Sequence, residues 1–244
     1  MAEHAHSPIS QFEIKTLVPI KIGDLDVSFT NSSLMMIITI IAVTVFLVGG
    51  MSKRAMVPGR WQLTAEISYE FIAGMLRDNV GKEGRPYFPL VFSLFMFILF
   101  GNMFGMLPYS FTFTSHIIVT FGLAIAIFLG VTVLAFVKHG IGFCKFFAPA
   151  GIPILILPLL IPIAIISYLS RPISLSVRLF ANMMAGHTLM KVFGGFVIKM
   201  SFFGVLPLAF LVALTGLEML IAFLQAYVFS ILTCLYINDA LHMH

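Results

Sequence analysis

The sequence predicts an all-α polytopic membrane protein with about five to six membrane helices, two of them long and strongly tilted, plus an amphipathic surface helix. Three observations carry this reading. The 244 residues are 60% hydrophobic and 10% charged, with a mean hydropathy of +1.06, whereas soluble domains are about a quarter charged and need that charge to face water. The apolar residues come in runs near or above the ~20 needed to cross a ~30 Å hydrocarbon core. Lys and Arg gather in two of the intervening stretches, as loops on the cytoplasmic side do. These crossings use up the chain and leave no room for a large aqueous domain. That excludes any enzyme needing one, and the net charge of +4 gives no reason to expect nucleic acid.

Taken in order, residues 1–32 are polar and mixed, with no basic region leading into an apolar core, and are not expected to be a cleaved signal peptide. They form an outer-side N-terminal segment. Residues 33–51 are the first crossing, which ends at Lys53 and Arg54. The loop 52–87 also carries Arg60, Arg77, Lys82 and Arg85, so it is assigned to the cytoplasm and the N-terminus to the outside. Within it Trp61, Leu63, Ile67, Phe71, Ile72, Met75 and Leu76 recur at helical spacing, which predicts an amphipathic helix on the membrane surface. Residues 88–138 read as a transmembrane hairpin. Phe88 to Leu107 runs outward to Pro108-Tyr109, and Ile117 to Val137 returns to Lys138, His139 and Lys145.

The second half, 146–191 and 200–238, reads as a tilted helical hairpin with the C-terminus cytoplasmic. Pro149, Pro153, Pro158 and Pro162 argue against one straight helix at its start and predict a broken, re-entrant or surface-lying entry. From Ile163 to Met190 the pattern is helical despite Pro172, about 40 Å long at 1.5 Å per residue. That exceeds a perpendicular crossing, hence the tilt. Gly194-Gly195 predicts a turn over Phe193 to Lys199, before a second overlong run interrupted by Pro207, Thr215, Glu218 and Gln225. Cys144 and Cys234 stand far apart in apolar surroundings and read as buried, unpaired thiols.

Two residues do not belong in such a chain. Arg178 and Glu218 lie deep in apolar sequence, where an ionised group costs at least ~2.5–3.5 kcal/mol and marks a partner or a water-filled path. Arg178 keeps its proton and needs an anion. One reading is an intramolecular pair with Glu218 that holds two helices together. The spacing offers another. Arg171, Ser174, Arg178, Asn182 and Ala185 share one helix face, and His187, nine residues from Arg178, is turned ~180° away. Antiparallel packing then allows Glu218 near His187 and Gln225 near Arg178, as two separate polar foci. His187 also reads as a core histidine with a satisfied hydrogen bond, and Asn102 and Gln225 as interhelical hydrogen-bonding residues. No second His or Cys stands at ligand spacing, so neither metal nor cofactor is expected. No Gly-rich phosphate loop, nucleophile elbow or HExxH motif is present.

The segment from Ser170 to His187 contains R-L-F-x-N-x-x-A-G intact from Arg178 to Gly186, and it closely resembles the signature of the a subunit of F-type ATP synthases. Gly101-Asn-Met-Phe-Gly-Met-Leu-Pro-Tyr109 with its Ser/Thr-rich loop, Leu224-Gln-Ala-Tyr-Val-Phe229 and Tyr236-Ile-Asn-Asp-Ala240 resemble the same family. The resemblance implies a proton-translocating stator subunit with two aqueous half-channels that couple proton flow to rotation of a c-subunit ring. It implies b-type peripheral stalk subunits and membrane lipid as further partners, with the ATP chemistry on other subunits. Arg178 then resembles the essential arginine facing the ring carboxylate, supported by Asn182 and Gln225. His187 and Glu218 resemble the acid–imidazole pair of the inlet, and Asn102 falls with the proton pathway. The His-then-Glu order resembles that of mitochondria and alphaproteobacteria, which implies a bacterial inner membrane, or alternatively a mitochondrial one. Ala164 departs from the pattern, since many relatives carry a glutamate there. The alternative from a different class is a stand-alone secondary transporter whose Arg178 binds an anionic substrate, although the chain shows no internal repeat; a purely structural scaffold explains the apolar runs but not Arg178 with Glu218.

Overall fold

The computed structural model describes residues 12–22, 25–26, 28–52, 57–107, 110–140, 143, 156–200 and 204–242. The expectations for Lys53, Arg54, Pro108-Tyr109, Cys144, Lys145, Pro149, Pro153 and the entry segment 146–155 lie outside these residues. Six α-helices are formed among the described residues: α1 (Asn31–Met51), α2 (Arg60–Val80), α3 (Phe88–Gly105), α4 (Ile117–His139), α5 (Leu157–Met200) and α6 (Val205–Leu241). The chain is thus an all-α multi-pass membrane protein, with five stretches long and apolar enough to span a bilayer. The polar N-terminal segment adds short antiparallel strands that the sequence does not announce. β1 (Thr16–Val18) pairs with β4 (Phe29–Thr30), and β2 (Lys21–Ile22) with β3 (Leu25–Asp26).

The segment is tied to the first turn of α1. The Thr30 hydroxyl caps that helix by accepting from Ser33 N at 3.4 Å. Asn31 Nδ2 donates to the Glu13 carbonyl at 3.1 Å, and its Oδ1 accepts from Lys15 N at 3.2 Å. At the opposite end of the molecule, Lys138 at the close of α4 meets Glu83 at 2.6 Å, in the 3₁₀ segment Gly81–Tyr87 after α2. The two stretches predicted to share one membrane side therefore do lie together.

Helix α6 is the hub and packs against α2, α3, α4 and α5. Its buried stripe, Glu218, Ala222, Ala226, Phe229, Ser230, Thr233, Cys234 and Ile237, is rich in small side chains. Small residues matter here because lipid is as apolar as Leu, and helices in it associate through close packing and hydrogen bonds. The consequence is that α3 and α4, consecutive and joined by a short loop, each pack far more against α5 or α6 than against each other. The predicted hairpin is one of connectivity. Helix α2 buries only the C-terminal part of its predicted stripe. Ala65, Ile72, Met75, Leu76 and Val80 are buried, whereas Trp61, Leu63 and Ile67 remain exposed.

The long helices differ from expectation in two ways. Helix α5 begins at Leu157 and continues through Pro162 and Pro172, and it runs on through Gly194 and Gly195 to Met200. The turn predicted at 193–199 is absent, because those residues continue α5. Two glycines in a helix cost about 1 kcal/mol each against alanine. Opening that helix in apolar surroundings would leave several backbone groups unpaired, at several kcal/mol each. Phe193 also packs on Phe210 of α6 at 4.6 Å between centroids, which holds the last turns in place. At 44 and 37 residues the two helices are about 66 and 55 Å long, far more than a ~30 Å core. Both must incline steeply or project beyond it.

The packing predicts a sharp contrast between two apolar truncations. Ile98→Ala, at a site with 0% exposure on α3, should cost about 1–3 kcal/mol through the cavity it leaves. Val45→Ala, 64% exposed on α1, should stay within about 0.5 kcal/mol. Reversible unfolding in mixed micelles, followed by circular dichroism, measures both.

Candidate functional site

Helix α5 divides into two faces between Arg171 and Leu189. Pro172, Ser176, Leu179, Met183 and His187 are buried, at steps of four and three. Ser174, Arg178, Ala181 and Ala185 are exposed on the other side. Arg178 and His187 therefore point to opposite sides of one helix, as their nine-residue spacing requires.

On the buried face, His187 Nδ1 stands 3.5 Å from Glu218 Oε1, with the two side chains only 6% and 4% exposed. Neither carboxyl oxygen has a hydrogen-bond partner among the described residues. Glu218 can lie this close because position 186 is glycine. A Cβ there would fall 2.7 Å from Oε1 and 3.0 Å from the carboxyl carbon. The other imidazole nitrogen, Nε2, is 3.1 Å from the hydroxyl of Thr112. Thr112 reaches the ring because α3 ends in Gly105, against which the threonine side chain lies closer than any Cβ would allow. Its Oγ1 hydrogen-bonds the Gly105 carbonyl at 3.2 Å. Phe12, from the N-terminal segment, packs edge-on against the imidazole with 6.3 Å between centroids.

His187 is also part of the wall of a cavity of about 760 Å³. Its polar lining is Glu13, Lys15, Asn31, Ser110, Lys191 and Thr215, while Glu218 is not among its lining residues. The imidazole thus lies between a polar cavity and a buried carboxyl group. Asn102, fully buried, donates its amide to the Ala222 carbonyl at 3.3 Å, one turn beyond Glu218. The amide joins α3 to α6 beside the site, in the interhelical role its sequence position allows.

On the exposed face the two arginines differ. Arg171 Nη1 is 2.9 Å from Asp239 Oδ2 near the end of α6, and its guanidinium lies 5.3 Å from the Tyr168 ring and 5.0 Å from that of Tyr236. A cavity of about 20 Å³, lined in part by Tyr168, Arg171, Tyr236 and Asp239, adjoins this cluster. That is room for a water with several polar neighbours. Arg178 forms no ion pair, and the side chains of Arg178, Asn182 and Gln225 form no hydrogen bond among the described residues. Gln225, half-buried, is not joined to Arg178, and Arg178 is not joined to Glu218. Around Arg178 the exposed face carries large apolar side chains, including Ile173, Val177 and Leu189.

Thr112 and Asp239 were not singled out in the sequence. Thr112 is one polar residue of a Ser/Thr-rich loop, and nothing local distinguishes it from Thr114. Asp239 was legible in principle. Moving 16 residues back from His187 along α5, and 21 forward from Glu218 along α6, arrives at Arg171 and Asp239. Antiparallel packing brings such positions within about a turn of each other.

The fold and site together define a multi-pass membrane subunit with an acid–imidazole pair inside it and an arginine on its apolar outer face. Residues 33–238 match the model of the ATP synthase A chain family. The chain is 59% identical over 242 residues to ATP synthase subunit a of Pelagibacter ubique, covering 98% of this chain and 99% of that protein. It is 58% identical over 245 residues to the same subunit of Paramagnetospirillum magneticum, covering 98% and 99%, and 57% over 240 residues to that of Rhodospirillum rubrum, covering 98% and 100%. The chain belongs to the ATP synthase subunit a family, and with it to the membrane sector of an F-type ATP synthase.

The closeness of Gly186 to Glu218 leads to a geometric expectation. Gly186→Ala should push the carboxyl group off His187 Nδ1 and lower stability by about 1–3 kcal/mol through overpacking. A structure of the variant in which the 3.5 Å contact survives would contradict it.

Proposed function

We propose that this chain is the proton-conducting stator of the membrane sector, with two offset aqueous half-channels that couple proton flow to rotation of a c-subunit ring. The observation that carries the proposal is Arg178, an arginine without an ion pair on the exposed, largely apolar face of α5. A cation on a lipid-facing surface costs at least ~2.5–3.5 kcal/mol. It requires an anion, and the described residues of the chain supply none. A carboxylate on a neighbouring subunit meets that need, and the ring helices provide it in turn as they pass.

Further geometry supports the path. The cavity lined by His187 and the smaller one beside Arg171 adjoin α5 at two different heights along its axis. Arg178 is between them, about 13 Å along the axis from His187 and about 10 Å from Arg171. A proton enters the large cavity from the outer side, passes His187 and Glu218, and neutralises a ring carboxylate, which then turns through lipid uncharged. After a revolution the proton leaves on the cytoplasmic side, toward the cavity beside Arg171. Arg178 holds the ionised site and keeps the two routes from joining, because a fixed cation repels a proton moving directly between them. Asn182 and Gln225 flank the arginine on the two helices that face the ring. The N-terminus lies outside and the C-terminus in the cytoplasm of a bacterial inner membrane, with b-type stalk subunits bound to the chain as stator.

In the reconstituted complex, Arg178→Ala should abolish proton-driven ATP synthesis with assembly intact, and Glu218→Gln should slow synthesis by roughly a hundredfold or more, the scale of a lost general acid–base group. Synthesis by inverted vesicles under an imposed proton gradient measures both. Near-normal rates in Arg178→Ala would overturn the proposal.

A further inference from the structure

We propose that Thr112 is a positioning residue that sets the tautomer of His187, keeping the ring proton on Nε2 and presenting Nδ1 as the base toward Glu218. The assignment follows from counting donors. A threonine hydroxyl has one proton to donate and lone pairs to accept with. Its Oγ1 lies 3.2 Å from the Gly105 carbonyl oxygen and 3.1 Å from His187 Nε2. The carbonyl can only accept, so the hydroxyl proton goes to Gly105. Oγ1 can then engage Nε2 only by accepting from it. In the neutral ring Nε2 therefore carries hydrogen, and Nδ1, 3.5 Å from Glu218 Oε1, is left with a free lone pair.

The hydroxyl is rigidly held in this role. Thr112 is buried, its side chain lies against Gly105 where no Cβ stands, and its own carbonyl accepts from Ser115 Oγ at 2.6 Å. Ser110 Oγ is also 3.2 Å from the Gly105 carbonyl but lies nearer that of Phe104, which takes its single proton and leaves the Gly105 oxygen to Thr112. The opposite tautomer would aim Nε2 and Oγ1 lone pairs at each other or remove the hydrogen bond to Gly105. Either leaves a buried polar group unpaired.

What the tautomer accomplishes rests on the reading of His187 and Glu218 as a proton path; the tautomer itself does not. A proton arriving from the cavity binds Nδ1 and makes the imidazolium. Transfer then breaks the Nδ1–H bond and forms the Oε1–H bond, leaving a neutral carboxyl group and the same Nε2–H imidazole that began the cycle. The ring is loaded and unloaded at one nitrogen. It needs neither a flip nor a tautomer exchange between protons, and the Nε2–H bond is never broken.

The test is nitrogen-15 resonance of labelled histidine in the assembled complex, with the His187 signal assigned by its loss in His187→Asn. At a pH where the ring is neutral, the wild type should show hydrogen on Nε2 and a bare Nδ1. Thr112→Ser, which keeps the hydroxyl, should retain that pattern and the wild-type rate. Thr112→Val, isosteric without the hydroxyl, should populate both tautomers and slow proton-driven synthesis roughly fivefold, about the weight of one net hydrogen bond. Hydrogen on Nδ1 in the neutral wild type overturns the inference, whether or not the valine variant assembles. So does a valine variant with an unchanged tautomer. Normal synthesis in Glu218→Gln with the Nε2–H tautomer in place would instead leave the tautomer standing and remove the proton-path reading.

Discussion

In hydrocarbon an ionisable side chain has three stable arrangements: it reaches water, it meets an opposite charge, or it is shed to neutrality. The five ionisable residues of α5 and α6 that matter here are distributed over these arrangements, and the packing of both helices follows from that distribution. Arg171 meets Asp239 and two tyrosine rings. Glu218 sits 3.5 Å from His187, an acid beside a base, so that neither is an isolated charge. Arg178 alone has neither partner among the described residues, and it cannot shed its proton.

That division requires the two faces of α5 to do opposite things. The buried face has to bring α6 close enough for a carboxyl group to touch an imidazole. Gly186 on α5 and the small residues of α6 permit it. The exposed face carries Arg178 among small residues, Ser174, Ala181 and Ala185, and larger apolar ones, Ile173, Val177 and Leu189. One helix thereby separates the buried His187–Glu218 pair from an exposed arginine with no ion-pair partner among the described residues. Asp239 sharpens the distinction. By neutralising Arg171, two turns away on the same face, it leaves Arg178 as the only one of the two arginines able to attract an external carboxylate.

Much of this was legible before any coordinates. Alternating apolar runs and basic clusters predicted the crossings, because the thickness of a bilayer fixes helix length and no irregular backbone survives in lipid. The 180° offset of Arg178 and His187 follows from helical geometry alone, and with antiparallel packing it anticipated the His187–Glu218 contact and excluded a need for an Arg178–Glu218 bridge. Gly194 and Gly195 misled, since glycine signals a turn in water but is carried within a helix where unpaired amides are costly. The hairpin 88–138 carried the order of two helices and not their packing, because adjacency in the chain says nothing about which helix offers small residues for close packing.

The sequence by itself determined the class of protein, the number of crossings, the family and the residues whose charge has no place in lipid. These depend on composition and on the fixed period of the helix, which are local. Only the tertiary structure decided what each of those residues touches: Thr112 on Nε2, Glu218 on Nδ1, Asp239 on Arg171 and, among the described residues, no ion-pair partner on Arg178. Such contacts join positions 31 to 75 residues apart through α6 and one short loop. Their register is set by how small side chains let helices approach, and no local pattern records that.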